Sequence, residues 1–224
     1  MVEENKKAHK HIEYFHPDVL SLKESRQDFL SQVQLFNAGQ GYESFSDFLM
    51  NDAEDYQITG NGVTYMVWNI LYSDNGDEVK RDLVAYYTLA TASIPYEDRI
   101  RLDEEEARLT GDIYNTETCG ISAIEIKMFA VNDSYQDVFY TYENEDLPVS
   151  AWVMRNIIDL AHTLSDTVVG FKALFLHSVP EAVNFYITNG FNFMEDNMHP
   201  LHGLDSDFQP MYLAFKDVYM NYDD

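Results

Sequence analysis

Apolar positions three or four apart predict a helix over 21–36, where Leu22, Phe29, Leu30, Val33 and Phe36 fall on one face. Ala38-Gly39-Gln40-Gly41 ends it. A second helix is predicted over 42–57, with Phe45, Phe48, Leu49 and Tyr56 as its apolar stripe, and Gly60-Asn61-Gly62 breaks the chain again. Two runs rich in β-branched and aromatic residues follow, over 63–71 and 82–90. Asn75-Gly76 between them favours the tight turn of a hairpin. Residues 94–120 read as charged and irregular, with a short helix over 101–108. A strand is predicted over 121–131, a loop over 132–148, and an amphipathic helix over 149–164 whose buried side holds Val153, Ile157, Leu160, Ala161 and Leu164. A strand over 168–177, a helix over 180–189 closed by Gly190, and short strands over 191–194 and 209–215 complete the chain. Helices, then antiparallel strands, then strand–helix–strand–helix–strand, predict the α/β (α+β) class with one mixed central sheet flanked by helices. The expected organisation is a polar extension over 1–20, with a loose first dozen residues, followed by a single domain over 21–224.

Composition narrows this reading. At 224 residues and 46% apolar content the chain is ordinary globular material. No apolar run reaches the roughly 18 residues of a membrane helix, and the polar start lacks a signal-peptide core. Cys119 is the one cysteine, so an internal disulfide framework is excluded. A cytoplasmic protein without membrane contact is expected. The charge is less ordinary, because 39 acids against 14 bases give a net charge of −25. The first 26 residues carry five of each sign, so the excess lies entirely in the remainder. Phosphate contacts need Lys and Arg, which makes nucleic acid a poor partner and a cationic small molecule or basic peptide a better one.

The run Ala182-Val183-Asn184-Phe185-Tyr186-Ile187-Thr188-Asn189-Gly190-Phe191 resembles the Ala-x-x-Phe-Tyr-x-x-x-Gly-Phe signature of GNAT-superfamily acyltransferases. Ala123 to Val131, followed by Asn132-Asp133-Ser134-Tyr135-Gln136, is similar to that family's fourth strand and the start of its pyrophosphate loop. Met211-Tyr212-Leu213-Ala214-Phe215 suits its last strand, and the segment from Phe45 to Ala53 resembles a helix of the subgroup containing acetyltransferase toxins. The resemblance implies a GNAT-like fold and an N-acetyltransferase that moves an acetyl group from acetyl-CoA to an amine, with no metal. It also implies site residues. Tyr186 stands where many members carry the general acid, and Glu125 where several carry the base, directly or through water. The backbone of Phe129, Ala130 and Val131 would pair with the pantetheine arm, and Gln136 opens the loop that holds pyrophosphate. His177 is a second candidate base.

One departure bears on function. Members of the family follow this point with Gly-x-Gly or Gly-x-Ala, whose amides cradle the pyrophosphate at a helix N-terminus. Residues 132–148 contain no glycine and no base, but five acids: Asp133, Asp137, Glu143, Glu145 and Asp146. Either the loop bulges outward, so that Val149, Ser150 and Ala151 still present amides and a hydroxyl while Arg155 or Lys172 meets a phosphate, or the site has decayed. In the second case the chain is a non-catalytic GNAT-like module that binds a protein partner.

Other chemistry finds little support. His199, His202, Asp205 and Asp207 match no zinc spacing, and the acidic turn 73–78 lacks a full calcium loop. No Gly-x-Ser-x-Gly elbow is present. Cys119 has no cationic neighbour in sequence and reads as inert. Exposed strand edges are compatible with a homodimer.

Overall fold

The computed structural model describes residues 10–12, 15–24, 30–142, 144–199 and 207–215. Its strands are β1 (Lys10–His11), β2 (Pro17–Ser21), β3 (Val63–Tyr72), β4 (Glu78–Arg101), β5 (Tyr114–Val131), β6 (Val138–Tyr142), β7 (Glu145–Pro148), β8 (Ala173–Ser178), β9 (Asn192–Phe193) and β10 (Gln209–Ala214). The α-helices are α1 (Leu30–Gln34), α2 (Glu43–Asp47), α3 (Ala53–Ile58), α4 (Glu104–Thr110), α5 (Val149–Thr167) and α6 (Val183–Thr188). Seven strands hydrogen-bond in the order β2-β3-β4-β5-β8-β10-β9, and β1-β6-β7 make a small separate sheet. The seven-stranded sheet is mixed, since β5 and β8 run parallel while β3–β4 and β8–β10 run antiparallel.

The chain divides into two compact units. The first holds residues 1–90 and 127–157. Here β3 and β4 pair from Val63–Leu89 to Tyr72–Glu78 around the expected Asn75-Gly76 turn, and Gly76 takes φ 83°, a conformation glycine adopts without strain. Val33, Phe36, Phe48, Leu49, Met66, Trp68, Ile70 and Tyr86 form its core. The Tyr86 hydroxyl donates to the Phe45 carbonyl at 2.6 Å, so a buried polar group is satisfied by the helical layer. That layer is one near-continuous helical run, α2 and α3 joined by a π-helical turn over Phe48–Asp52. Thr64 and Thr88, both fully buried, bond each other hydroxyl to hydroxyl at 2.8 Å.

The second unit holds residues 91–126 and 158–224. β8 is buried along nearly its whole length and sits between β5 and β10, as a parallel-paired central strand must. Ile94, Tyr96, Ile121, Ala123, Ala173, Phe175, Met198 and Tyr212 pack together as its core. At the end of α6, Gly190 takes φ 91°, and the Phe191 amide returns to the Tyr186 carbonyl, the expected glycine closure.

Three expectations need correction. Residues 94–120 are not irregular: β4 runs on to Arg101 and β5 begins at Tyr114, flanking α4. Their charged, exposed side chains hid a strand pattern that hydropathy reads only where one face is buried. Residues 132–148 are not a loop either; after a short 3-10 turn over Asp133–Tyr135 they fold into the β6–β7 hairpin. Of the predicted helix over 21–36, Ser21 instead closes β2 and Leu30–Gln34 form α1, while residues 25–29 lie outside the described residues. Of the loose polar start, residues 1–9 also lie outside the described residues, while Lys10 and His11 pair parallel with Val138 and Phe139.

Candidate active site

Glu125 is on β5 opposite Phe175 of β8. Its carboxylate is buried, with 8% of the residue exposed, which is costly for a charge unless a partner stands by. The partner is His177, two residues beyond Phe175 and so on the same face of the sheet. His177 Nδ1 lies 3.5 Å from Glu125 Oε1. The parallel register brings the two candidate bases, Glu125 and His177, together as one unit. Phe175 packs edge-on against the imidazole at 4.6 Å. The other ring nitrogen, Nε2, is buried without a hydrogen-bond partner among the described residues. A buried polar atom left unpaired costs about 1–3 kcal/mol, so the arrangement is not one that folding alone would favour.

Tyr186 is a buried residue of α6. Its ring sits edge-on to both Phe185 and Phe191, at 5.2 and 5.6 Å. Burial pushes the phenol well above its ordinary range. The hydroxyl therefore stays protonated at any physiological pH, as a proton or hydrogen-bond donor must. No hydrogen bond from a described residue satisfies it.

The residues expected to hold the cofactor lie in the first unit. Gln136 does not reach outward: its side-chain amide donates to the carbonyls of Ala38 at 2.8 Å and Val131 at 3.2 Å. Val149 is fully buried, and Ser150 and Ala151 are half-buried in the first turn of α5. Arg155 is exposed and faces Glu145 of the hairpin at 3.9 Å, a surface pair of small energetic weight. Phe129, Ala130 and Val131 are the last three residues of strand β5. The paired register of β5 with β8 ends at Ile126–Leu176, although β5 runs on to Val131 and β8 to Ser178.

A feature not anticipated is a cavity of about 650 Å³ in the first unit. Its lining includes Lys10, His11, Lys80, Asp82, Ser134 and Tyr135. Lys80 is bound to Asp82 at 2.7 Å, so the lining offers both signs of charge. Hydropathy offered no signal for it, because its walls come from four separated segments. No cluster of three metal-ligating side chains exists among the described residues, and no described helix is long and apolar enough to cross a membrane.

An antiparallel run β3–β4, the parallel pair β5–β8 with α5 between them in sequence, and α6 leading to antiparallel β10 define the GNAT-like mixed α/β fold. Solved structures agree at the level of fold. The chain is similar to the structure named AtaTR bound with AcCoA, at 16% identity and TM-score 0.57, over 88% of this chain and 93% of that one. A tyrosine-to-phenylalanine mutant of the AtaT toxin gives 14% identity and TM-score 0.56 over 94% and 95%. A tyrosine-to-phenylalanine mutant of KacT gives 14% and 0.54 over 88% and 94%. Neither a protein-family model nor a curated protein sequence matches the chain.

Proposed function

We propose that the chain is an acetyl-CoA-dependent N-acetyltransferase. The observation that carries this reading is the β5–β8 pair: two parallel strands that share four register positions and then run on, with a buried carboxylate and imidazole beside the shared stretch. The extended end of β5, Phe129 to Val131, is where the pantetheine arm would pair. Gln136 already donates to the Val131 carbonyl, so the arm would use the other backbone groups there. The fold likeness to a structure named as bound with AcCoA supports the same reading.

In this reading Tyr186 protonates the departing thiolate of CoA and the Glu125 region takes up the acceptor's proton. The amine nitrogen bonds to the acetyl carbonyl carbon as the carbon–sulfur bond breaks. With Arg155 facing Glu145, pyrophosphate is left to the first amides of α5 at Val149, Ser150 and Ala151. The acceptor is a cationic amine, a small polyamine-like molecule or a basic peptide, because a chain of net charge −25 concentrates cations around itself. The chain acts in the cytoplasm as a single acyltransferase domain behind an N-terminal extension, and a homodimer is compatible with it.

The hairpin in place of a glycine loop favours a second reading, a GNAT-like module that binds a protein partner without catalysis. Calorimetry with acetyl-CoA, and CoA for comparison, separates the two. Micromolar binding supports the enzyme; absence of binding at millimolar concentration retires it. Tight binding of transfer RNA at physiological salt would overturn the cationic acceptor.

A further inference from the structure

The Glu125–His177 contact has an orientation that constrains the chemistry. An ionised carboxylate only accepts hydrogen bonds, so beside Nδ1 it favours the tautomer that carries its proton on Nδ1. Nε2 then holds a lone pair, and Nε2 is the atom that no described residue satisfies. The imidazole is further fixed by Phe175 on its own strand, and Pro210 occupies its register position on β10. The carboxylate of Glu125 stands 3.5 Å from its Nδ1. A carboxylate behind one nitrogen and an unsatisfied lone pair on the other is the arrangement of an oriented general base. The 3.5 Å separation is long for a hydrogen bond, as such contacts often are before substrate tightens them.

Resting on the acetyltransferase reading, we infer that His177 is the catalytic base of this site and Glu125 its positioning residue. Nε2 takes a proton from the acceptor's ammonium group and passes it to water. The freed amine attacks the acetyl carbonyl, and the thiolate leaves. The second proton, lost by the nitrogen once it is bonded to carbon, replaces the one that Tyr186 gives to sulfur. An ammonium ion and acetyl-CoA thus yield an amide, free thiol and one released proton. Because Nε2 is shielded from water in the free chain, the acceptor reaches it only as the neighbouring side chains give way on binding.

The test begins with the wild-type protein labelled with ¹⁵N-histidine. Long-range ¹H–¹⁵N spectra should place His177 in the Nδ1–H tautomer at neutral pH, and Glu125→Gln should release that preference. An Nε2–H tautomer in the wild type overturns the inference, whether or not an acceptor is known. Kinetics then use acetyl-CoA with spermine. His177→Gln should lower kcat/KM by about 100-fold or more, the usual weight of a general base, and abolish the acid limb of its pH profile. Glu125→Gln should lower kcat by a smaller factor with little change in KM for acetyl-CoA. A His177→Gln rate equal to wild type overturns the base assignment. Failure to bind acetyl-CoA by calorimetry sinks the acetyltransferase reading itself, while the spectra still decide the tautomer.

Discussion

The side-chain amide of Gln136 donates to the carbonyl of Ala38 at 2.8 Å, across 98 residues of sequence, and to Val131 at 3.2 Å. The residue expected to greet a pyrophosphate is instead a clasp between the end of β5 and the segment before α2. Gln136→Ala should therefore lower stability by about 1–2 kcal/mol, the sum of two modest hydrogen bonds. Urea unfolding measures this. A loss of acetyl-CoA affinity with stability unchanged would return Gln136 to the cofactor.

Tyr186→Phe should separate chemistry from folding. The hydroxyl has no hydrogen-bond partner among the described residues, so its removal should shift stability by less than about 0.5 kcal/mol. Turnover should fall by about 100-fold or more if the phenol protonates sulfur. Parallel thermal melts and thiol-release assays give both numbers, and equal turnover sinks the acid assignment.

Thr64 and Thr88 pose a test of buried pairing. Thr64→Val leaves the Thr88 hydroxyl stranded in the core and should cost about 1–3 kcal/mol, whereas the double change to valine should recover most of that. A double variant as unstable as the sum of the singles would mean the packing, not the bond, matters.

Alkali should unfold this protein early. Burial raises the phenols of Tyr86, Tyr87 and Tyr186 well above the ordinary range, and Tyr212, buried in the second unit's core and bonded to Glu195 at 2.8 Å, is pushed up to about 12. The unfolded chain ionises these groups near pH 10 while the folded chain holds their protons. Stability from this source is complete below pH 10 and is lost as pH rises toward the folded values. With three deeply buried phenols the slope approaches roughly 4 kcal/mol per pH unit. Denaturant midpoints at pH 8, 10 and 11, read with tyrosinate absorbance, check it; a flat profile to pH 11 contradicts it.

α4 is capped at both ends yet buries nothing. Asp103 accepts from the Glu105 and Glu106 amides at 2.9 and 2.8 Å, and Gly111 closes the helix at φ 81°. Asp103→Ala should speed hydrogen exchange over 104–110 by several-fold through the loss of about 1 kcal/mol of capping. The global unfolding midpoint should not move.

Much of the fold was legible in the chain. The strands 63–71 and 82–90 declared themselves through aromatic and β-branched residues, and the Asn75-Gly76 turn sits where the sequence placed it. The helix from Val149 showed its buried stripe at Val153, Ile157 and Ala161, all buried. The outer part of β5 was not legible because both its faces are largely exposed, and the outer part of β4 because Pro95 and charged residues 97–99 obscure an alternation in which Ile94 and Tyr96 are buried. The β6–β7 hairpin was missed for a different reason. Its turn residue Asn144 takes φ 72°, a conformation glycine would have advertised and asparagine does not.

Local pattern by itself determined the class of fold and the order of its central elements, and the resemblance of short motifs to a known family singled out Tyr186 and Glu125. Those follow from side-chain periodicity and short motifs, which act over a few residues. Only the tertiary structure decided what they meet. Strand register set Glu125 beside His177, turned Gln136 inward to Ala38, and drew Lys10 and His11 alongside Val138 and Phe139. Register between distant strands is settled by packing and hydrogen bonding across the whole sheet, and no local stretch of sequence carries it.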